Sequence, residues 1–242
     1  MDISAPTEYE ILNNKCDIYI YLKTKNANSF NAILGVLPSD NGGLTITGDA
    51  KIKLQNVLKK GEIIDFNWRK LLPLTQNLNI YFKYPYLFKS SFGIDTRFDL
   101  YKKDTSYFDL NTRFGVNYEI NSDLNLNIFY NNRTSSLLST EKYELASTLP
   151  SFADVSSNSY GLSVMFEILN YIYNPIKGWY VHLEGSVGEK VIKKNIALNP
   201  ELYEGLDLRT TQFTINGSVS RFIKIKKRST ILLKTDGGWL IS

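Results

Sequence analysis

Ser106-Tyr107-Phe108-Asp109-Leu110-Asn111-Thr112-Arg113-Phe114-Gly115-Val116-Asn117-Tyr118-Glu119-Ile120 is the stretch that decides the fold. Phe108, Leu110, Thr112, Phe114, Val116, Tyr118 and Ile120 share one face of an extended chain, and Tyr107, Asp109, Asn111, Arg113, Gly115, Asn117 and Glu119 share the other. Side chains of a strand alternate sides, so this is period two, held for far longer than the five or six residues usual in a globular strand. Upstream, Phe92, Ile94, Thr96, Phe98 and Leu100 oppose Ser91, Gly93, Asp95, Arg97 and Asp99. Leu78, Ile80, Phe82 and Tyr84 alternate with Asn77, Asn79, Tyr81 and Lys83. Downstream, Leu124, Leu126, Ile128 and Tyr130 alternate with Asn125, Asn127 and Asn131. Tyr160, Leu162, Val164, Phe166 and Ile168, then Trp179, Val181, Leu183 and Val187, continue the pattern. No segment carries a sustained helical stripe, so the chain reads as all β.

Composition narrows the function. The 242 residues hold 28 Lys+Arg against 24 Asp+Glu, a formal charge of only +4, too mild and too dispersed for a nucleic-acid binder. One Cys and one His exclude a disulfide scaffold and a Cys- or His-built metal centre. No apolar run is long enough for a membrane helix, but membrane strands alternate and escape that test. The first residues lack a basic, then apolar leader. Sixteen Tyr, 13 Phe and three Trp are compatible with a soluble domain and equally with the aromatic girdles of a membrane barrel.

Eleven long strands are predicted, centred near Ile33, Ile52, Phe66, Ile80, Thr96, Phe114, Ile128, Val164, Leu183, Ile215 and Leu233. The even-numbered connections (57–61, 85–90, 121–123, 224–228) are compact, with 170–177 somewhat longer. Both long ones, 137–156 and 190–208, are odd-numbered. An up-and-down barrel puts all odd connections on one rim, and outer-membrane barrels have short turns on one side and long loops on the other. A Greek-key sandwich has no reason to follow such parity. Near the start, Ile18, Ile20 and Leu22 alternate with Tyr19, Tyr21 and Lys23. The segment reads as the edge of a soluble module, the alternative being a first barrel strand. Cys16 reads as an inert, half-buried thiol.

From about Cys16 to Ser242 the chain resembles the Omp85 superfamily of outer-membrane barrel-assembly and translocation-assembly proteins, in its Bacteroidetes-type form. The residues that carry the resemblance are Asp17-Ile18-Tyr19-Ile20-Tyr21-Leu22-Lys23, similar to the closing strand of a POTRA domain, and Asn28-Ser29-Phe30-Asn31-Ala32-Ile33-Leu34-Gly35-Val36, similar to the first barrel strand. Thr47-Gly48-Asp49-Ala50 with Leu54-Gln55-Asn56-Val57 and Lys60-Gly61-Glu62 resembles the next hairpin. Tyr84-Pro85-Tyr86-Leu87-Phe88, Lys103-Asp104-Thr105-Ser106-Tyr107-Phe108 and Asn174-Pro175-Ile176-Lys177-Gly178-Trp179 follow as turns and loops in the expected order. The resemblance implies an incomplete antiparallel up-and-down transmembrane β-barrel, the first eleven of sixteen strands. Residues 1–27 would be a POTRA remnant and 28–242 the N-terminal part of the barrel. The chain would then be a fragment of an outer-membrane protein, its sheet curved and unclosed.

The resemblance also implies function: no enzyme and no cofactor, but insertion or translocation of other proteins by strand pairing at a lateral seam. The partners would be outer-membrane lipid, unfolded outer-membrane or secreted clients, and periplasmic accessory proteins. The pairing would run through the backbone of Phe30, Asn31, Ala32, Ile33, Leu34, Gly35 and Val36. A glycine inside a strand marks a bulge more often than a weak point, so Gly35 is expected to be a bulge. Asp95, Arg97, Asp99, Asp109 and Arg113 are expected to line the lumen as cross-strand ion pairs. His182, beside Glu184 and Ser186 on one strand, has no exposed elbow and reads as a lumen residue rather than a catalytic base. Lys224, Lys226, Lys227 and Arg228 read as a solvated or headgroup-facing turn. Alternatives are a secretion pore, the membrane anchor of an enzyme domain and, more remotely, a soluble lipid-binding barrel.

Overall fold

The structure is a computed structural model, and it describes residues 2–3, 6–12, 15–23, 27–38, 43–143, 148–150, 152–171, 174–226 and 229–242. Two short ladders open the chain: β1 (Asp2–Ile3) pairs with β4 (Leu22–Lys23), and β2 (Glu8–Leu12) with β3 (Lys15–Tyr19). Together they form one hairpin, with Tyr19 donating to Glu10 and Tyr21 donating to Glu8 across it. The stretch expected as one strand over 18–23 is therefore split. Among the described residues this hairpin makes no ladder with the rest of the molecule, so it is not a first strand of the main sheet. Cys16, expected half-buried, is exposed.

After it, the strands among the described residues form one antiparallel sheet of eleven. These are β5 (Ser29–Pro38), β6 (Leu44–Gln55), β7 (Ile63–Leu72), β8 (Thr75–Tyr84), β9 (Phe92–Lys103), β10 (Tyr107–Asn121), β11 (Leu124–Leu137), β12 (Val155–Leu169), β13 (Gly178–Ile192), β14 (Arg209–Lys226) and β15 (Ser229–Ile241). Each of the eleven expected centres falls inside its strand. Every strand pairs with its sequence neighbours and no other, an up-and-down meander, and the sheet is not closed: β5 and β15 are its edges. Among the described residues there is no α-helix, only three short 3-10 turns.

The two longest connections, 138–154 and 193–208, are indeed both odd-numbered. Parity does not govern the rest. The odd-numbered connections 73–74 and 104–106 are as tight as 122–123, because two or three residues suffice wherever a hairpin turns directly.

Burial along the strands runs opposite to that of a water-soluble sheet. On β11, Asn127 and Phe129 are 8% and 3% exposed, whereas Ile128 between them is 66% exposed. On β10, Phe114, Val116, Tyr118 and Ile120 are exposed and Gly115 is buried. On β14, Phe213, Ile215, Val219 and Ile223 are exposed while Ser220 is buried. The apolar row is thus the outer face of the curled sheet, and the inner face is polar.

The dry core lies in the loops. Ala153, Leu198 and Tyr203 are buried where 138–154 meets 193–208. Asp154 joins the two loops, its carbonyl accepting from Lys193 N at 2.8 Å and its carboxylate from Asn195 Nδ2 at 2.7 Å. Phe152 stacks on Tyr107 at 4.2 Å, and its carbonyl accepts from Ser135 Oγ at 2.8 Å.

Candidate functional site

Two of the expected sites are the edge at β5 and the polar inner face. Phe30, Asn31, Ala32, Ile33, Leu34, Gly35 and Val36 all lie in β5, which pairs only with β6 and is exposed along its length apart from a half-buried Gly35. Phe30, Ala32, Leu34 and Val36 take the apolar outer face, and Asn31, Ile33 and Gly35 the inner one. The register with β6 runs unbroken from Ser29↔Lys53 to Pro38↔Leu44, so the bulge expected at Gly35 is not there. Gly35 instead lies over Thr47, whose Oγ1 would be 2.9 Å from an added Cβ, and Thr47 is buried beneath it. A bulge inserts an extra residue, and here close approach to the neighbouring side chain is what asks for glycine.

On the inner face, Asp95, Arg97, Asp99, Asp109 and Arg113 all line the concave side, but the ion pairs differ from those expected. Arg97 and Arg113 face each other in register. Arg113 turns away, over β11 and β12, to Glu184 on β13 at 2.8 Å. Arg97 lies over the Tyr81 ring at 5.5 Å. Asp95 accepts from Asn117 Nδ2 at 2.5 Å and Asn127 Nδ2 at 2.7 Å, and Asp99 from Asn79 Nδ2 at 2.7 Å. Asp109 does form an adjacent-strand ion pair, with Arg133 at 2.6 Å. The carboxylates are shared with amides because asparagines outnumber acids on this face.

The residue that organises this network was not assigned a role by the alternation. Phe129 stands on the polar face, directly between Gly115 on β10 and Gly161 on β12. A Cβ on Gly161 would strike its ring. The Arg113 guanidinium sits 3.4 Å above that ring, on its way to Glu184. The signal was a lone aromatic among Asn125, Asn127 and Asn131, facing glycines on both sides. His182, Glu184 and Ser186 share this inner face of β13. Among the described residues no group of three His, Cys, Asp or Glu side chains could hold a metal.

The rim of the even-numbered turns is built with care. In 56–62, Glu62 is 1% exposed and its carboxylate accepts from Leu58 N at 2.5 Å and Lys60 N at 3.1 Å. Burial alone would raise its pKa, but several backbone N–H groups outweigh burial and hold the carboxyl below the usual carboxylate range. In 85–91, the charge of Glu119, burial and a hydrogen bond to Glu119 push the Tyr86 phenol up. Lys227 and Arg228 of the expected basic turn lie outside the described residues.

No family model matches this sequence. No curated protein matches it either. One similar solved structure is the crystal structure of BamA from Haemophilus ducreyi lacking POTRA domains 1-3. The TM-score is 0.49 at 16% identity, over 98% of this chain and 46% of that one. The chain therefore spans less than half of the length of the structure it resembles.

Proposed function

We propose that this chain is the first part of an Omp85-type outer-membrane barrel that inserts or translocates other proteins by pairing their strands with β5, and that it has no catalytic role. The observation that carries the reading is the inverted sheet, apolar on its outer face and polar on its inner one. An apolar outer face of this extent needs an apolar surround, which acyl chains supply, and a polar inner face suits a water-filled interior. A soluble lipid-binding barrel would place its apolar rows inside, so this burial pattern disfavours it.

An unpaired edge in lipid leaves N–H and C=O groups without water, each a cost of several kcal/mol. A client strand entering beside β5 satisfies them through backbone alone, which makes the pairing indifferent to client sequence. The polar inner face would give the translocating chain a wet surface, and the partners would be unfolded outer-membrane or secreted proteins with periplasmic accessory factors.

Photo-crosslinking tests this reading. A crosslinker placed at Asn31 or Ile33 is expected to capture an unfolded outer-membrane client, and one at Ile80, inside the sheet, is not. Equal labelling from both positions, or none from β5, would refute it.

A further inference from the structure

The turns 56–62 and 85–91 are adjacent on the even-numbered rim, with Gly61 against Pro85, whose Cγ would lie 3.2 Å from an added Cβ. Both are held in conformations that non-glycine residues avoid. Asn56, Lys59, Tyr86, Phe88 and Lys89 all have φ between 53° and 62°, a left-handed backbone in which the side chain crowds the following carbonyl. The surroundings impose these conformations. Glu62 ties the first turn from beneath, and Gly61 N donates to Asn56 Oδ1 at 2.8 Å. In the second, Lys89 N donates to the Tyr86 carbonyl at 3.0 Å and Ser90 Oγ to the Leu87 carbonyl at 2.6 Å.

What this strain displays is apolar. Phe88 is 92% exposed, and Leu58 and Val57 are exposed in the neighbouring turn. Around these tips stand Lys59, Lys60 and Lys89, all exposed and, among the described residues, in no ion pair. The one acid of the first turn, Glu62, points inward at amides.

Depth points to the occupant. The last outward-facing rungs below the turns are Leu54↔Ile64 and Tyr84↔Ile94. Leu58 and Phe88 lie four residues beyond those rungs, about 13 Å of extended chain at about 3.3 Å per residue. At the roughly 40° tilt of a barrel strand that is at most about 10 Å along the membrane normal, close to the headgroup layer that reaches roughly 5–8 Å beyond the hydrocarbon. We infer that the paired turns 56–62 and 85–91 form a rigid contact for anionic phospholipid headgroups, with Phe88 and Leu58 dipping between them and Lys59, Lys60 and Lys89 holding the phosphates. This rests on the membrane reading above. A preformed tip loses little entropy on contact, which is what the strained backbone provides.

Single-tryptophan reporters separate the two readings. With Trp68, Trp179 and Trp239 changed to Phe, Phe82→Trp reports the apolar band of β8 and Phe88→Trp the turn. Both are read in vesicles of phosphatidylcholine, with and without phosphatidylglycerol, carrying lipids brominated near the headgroup. The expected result is quenching of both reporters, with Phe88→Trp quenched more strongly as phosphatidylglycerol is added. That increase is expected to be lost in Lys59→Gln/Lys60→Gln/Lys89→Gln, since each lysine near the surface should enrich anionic lipid about fivefold. A solvent-like Phe88→Trp beside a quenched Phe82→Trp overturns the inference, leaves the membrane reading standing and gives the tips to a protein partner instead. Quenching at Phe88→Trp that ignores phosphatidylglycerol overturns the role of the lysines. If neither reporter is quenched, both readings fail.

Discussion

Glu62 shows how one side chain can fix a turn. Its carboxylate replaces the water that the amides of Leu58 and Lys60 would otherwise need, and charge-assisted bonds of this kind are the strong ones. Because its folded-state pKa is lowered, the unfolded chain binds the proton more readily. The contribution is therefore present above the ordinary carboxylate pKa and lost as pH falls through the folded value. The protection factors of the Leu58 and Lys60 amides, taken against the intrinsic exchange rate at each pH, should be high at neutral pH and fall in acid. Glu62→Gln should exchange faster at neutral pH and lose that acid dependence. A wild-type turn equally protected on both sides of the carboxylate range would contradict this. Phe129 is the second case. Phe129→Ala removes a ring that is 3% exposed and is expected to cost about 3 kcal/mol in denaturant titration. Arg113→Met leaves Glu184 without its partner and should cost about 1–2 kcal/mol, less than a fully buried pair because the inner face is wet. Arg113→Met/Glu184→Gln should recover part of that loss, and strict additivity of the two changes would mean the ion pair is idle.

At the scale of the element, the two faces of a strand should answer differently to the same change. On β11, Ile128→Arg places a charge on the outer face and is expected to cost about 2–4 kcal/mol in lipid vesicles. Asn131→Arg, on the inner face of the same strand, should cost less than about 1 kcal/mol. Equal penalties in urea titration would mean that neither face meets hydrocarbon. The alternation that supports this was legible in the sequence because it is sustained over so many residues, and it marked the strands centred near Ile80, Thr96, Phe114, Ile128, Val164 and Leu183. Phe129 escaped because period two sorts residues by face but says nothing of what lies across the neighbouring strands, where Gly115 and Gly161 make its place. Arg113 reaching Glu184 is invisible for the same reason, since the contact spans two intervening strands. The loop core of Ala153, Leu198 and Tyr203 carries no period at all. Its keystone is Asp154, at φ 46°. Asp154→Gly keeps that backbone accessible but removes the carboxylate that accepts from Asn195 and Leu137. The expected outcome is faster proteolysis within 193–208 with the strands of the sheet still protected.

For the whole molecule the decisive quantity is which face the solvent touches. Most of the outer face is apolar and open, as Phe114, Ile128, Tyr160, Leu162, Phe213 and Ile215 show, and the inner face offers no apolar core to compensate. Burying those side chains should contribute about 1.5–3 kcal/mol each, and in water that term is missing while the entropy of ordering eleven strands remains. The two edges add a second pressure, because β5 and β15 each present an unpaired row of backbone groups, a template for a further strand. Refolding from urea should therefore yield aggregate in plain buffer. In detergent micelles or vesicles it should yield a species with strong β circular dichroism, formed only above the critical micelle concentration. Edge pairing predicts in addition that, with the exposed Cys16 changed to Ser, cysteines at Ile33 crosslink between copies in micelles, whereas cysteines at Ile80, in the sheet interior, do not. A monodisperse monomer with native-like β signal in detergent-free buffer would show that the apolar rows face each other rather than lipid, and the orientation of every strand argued above would have to be reversed.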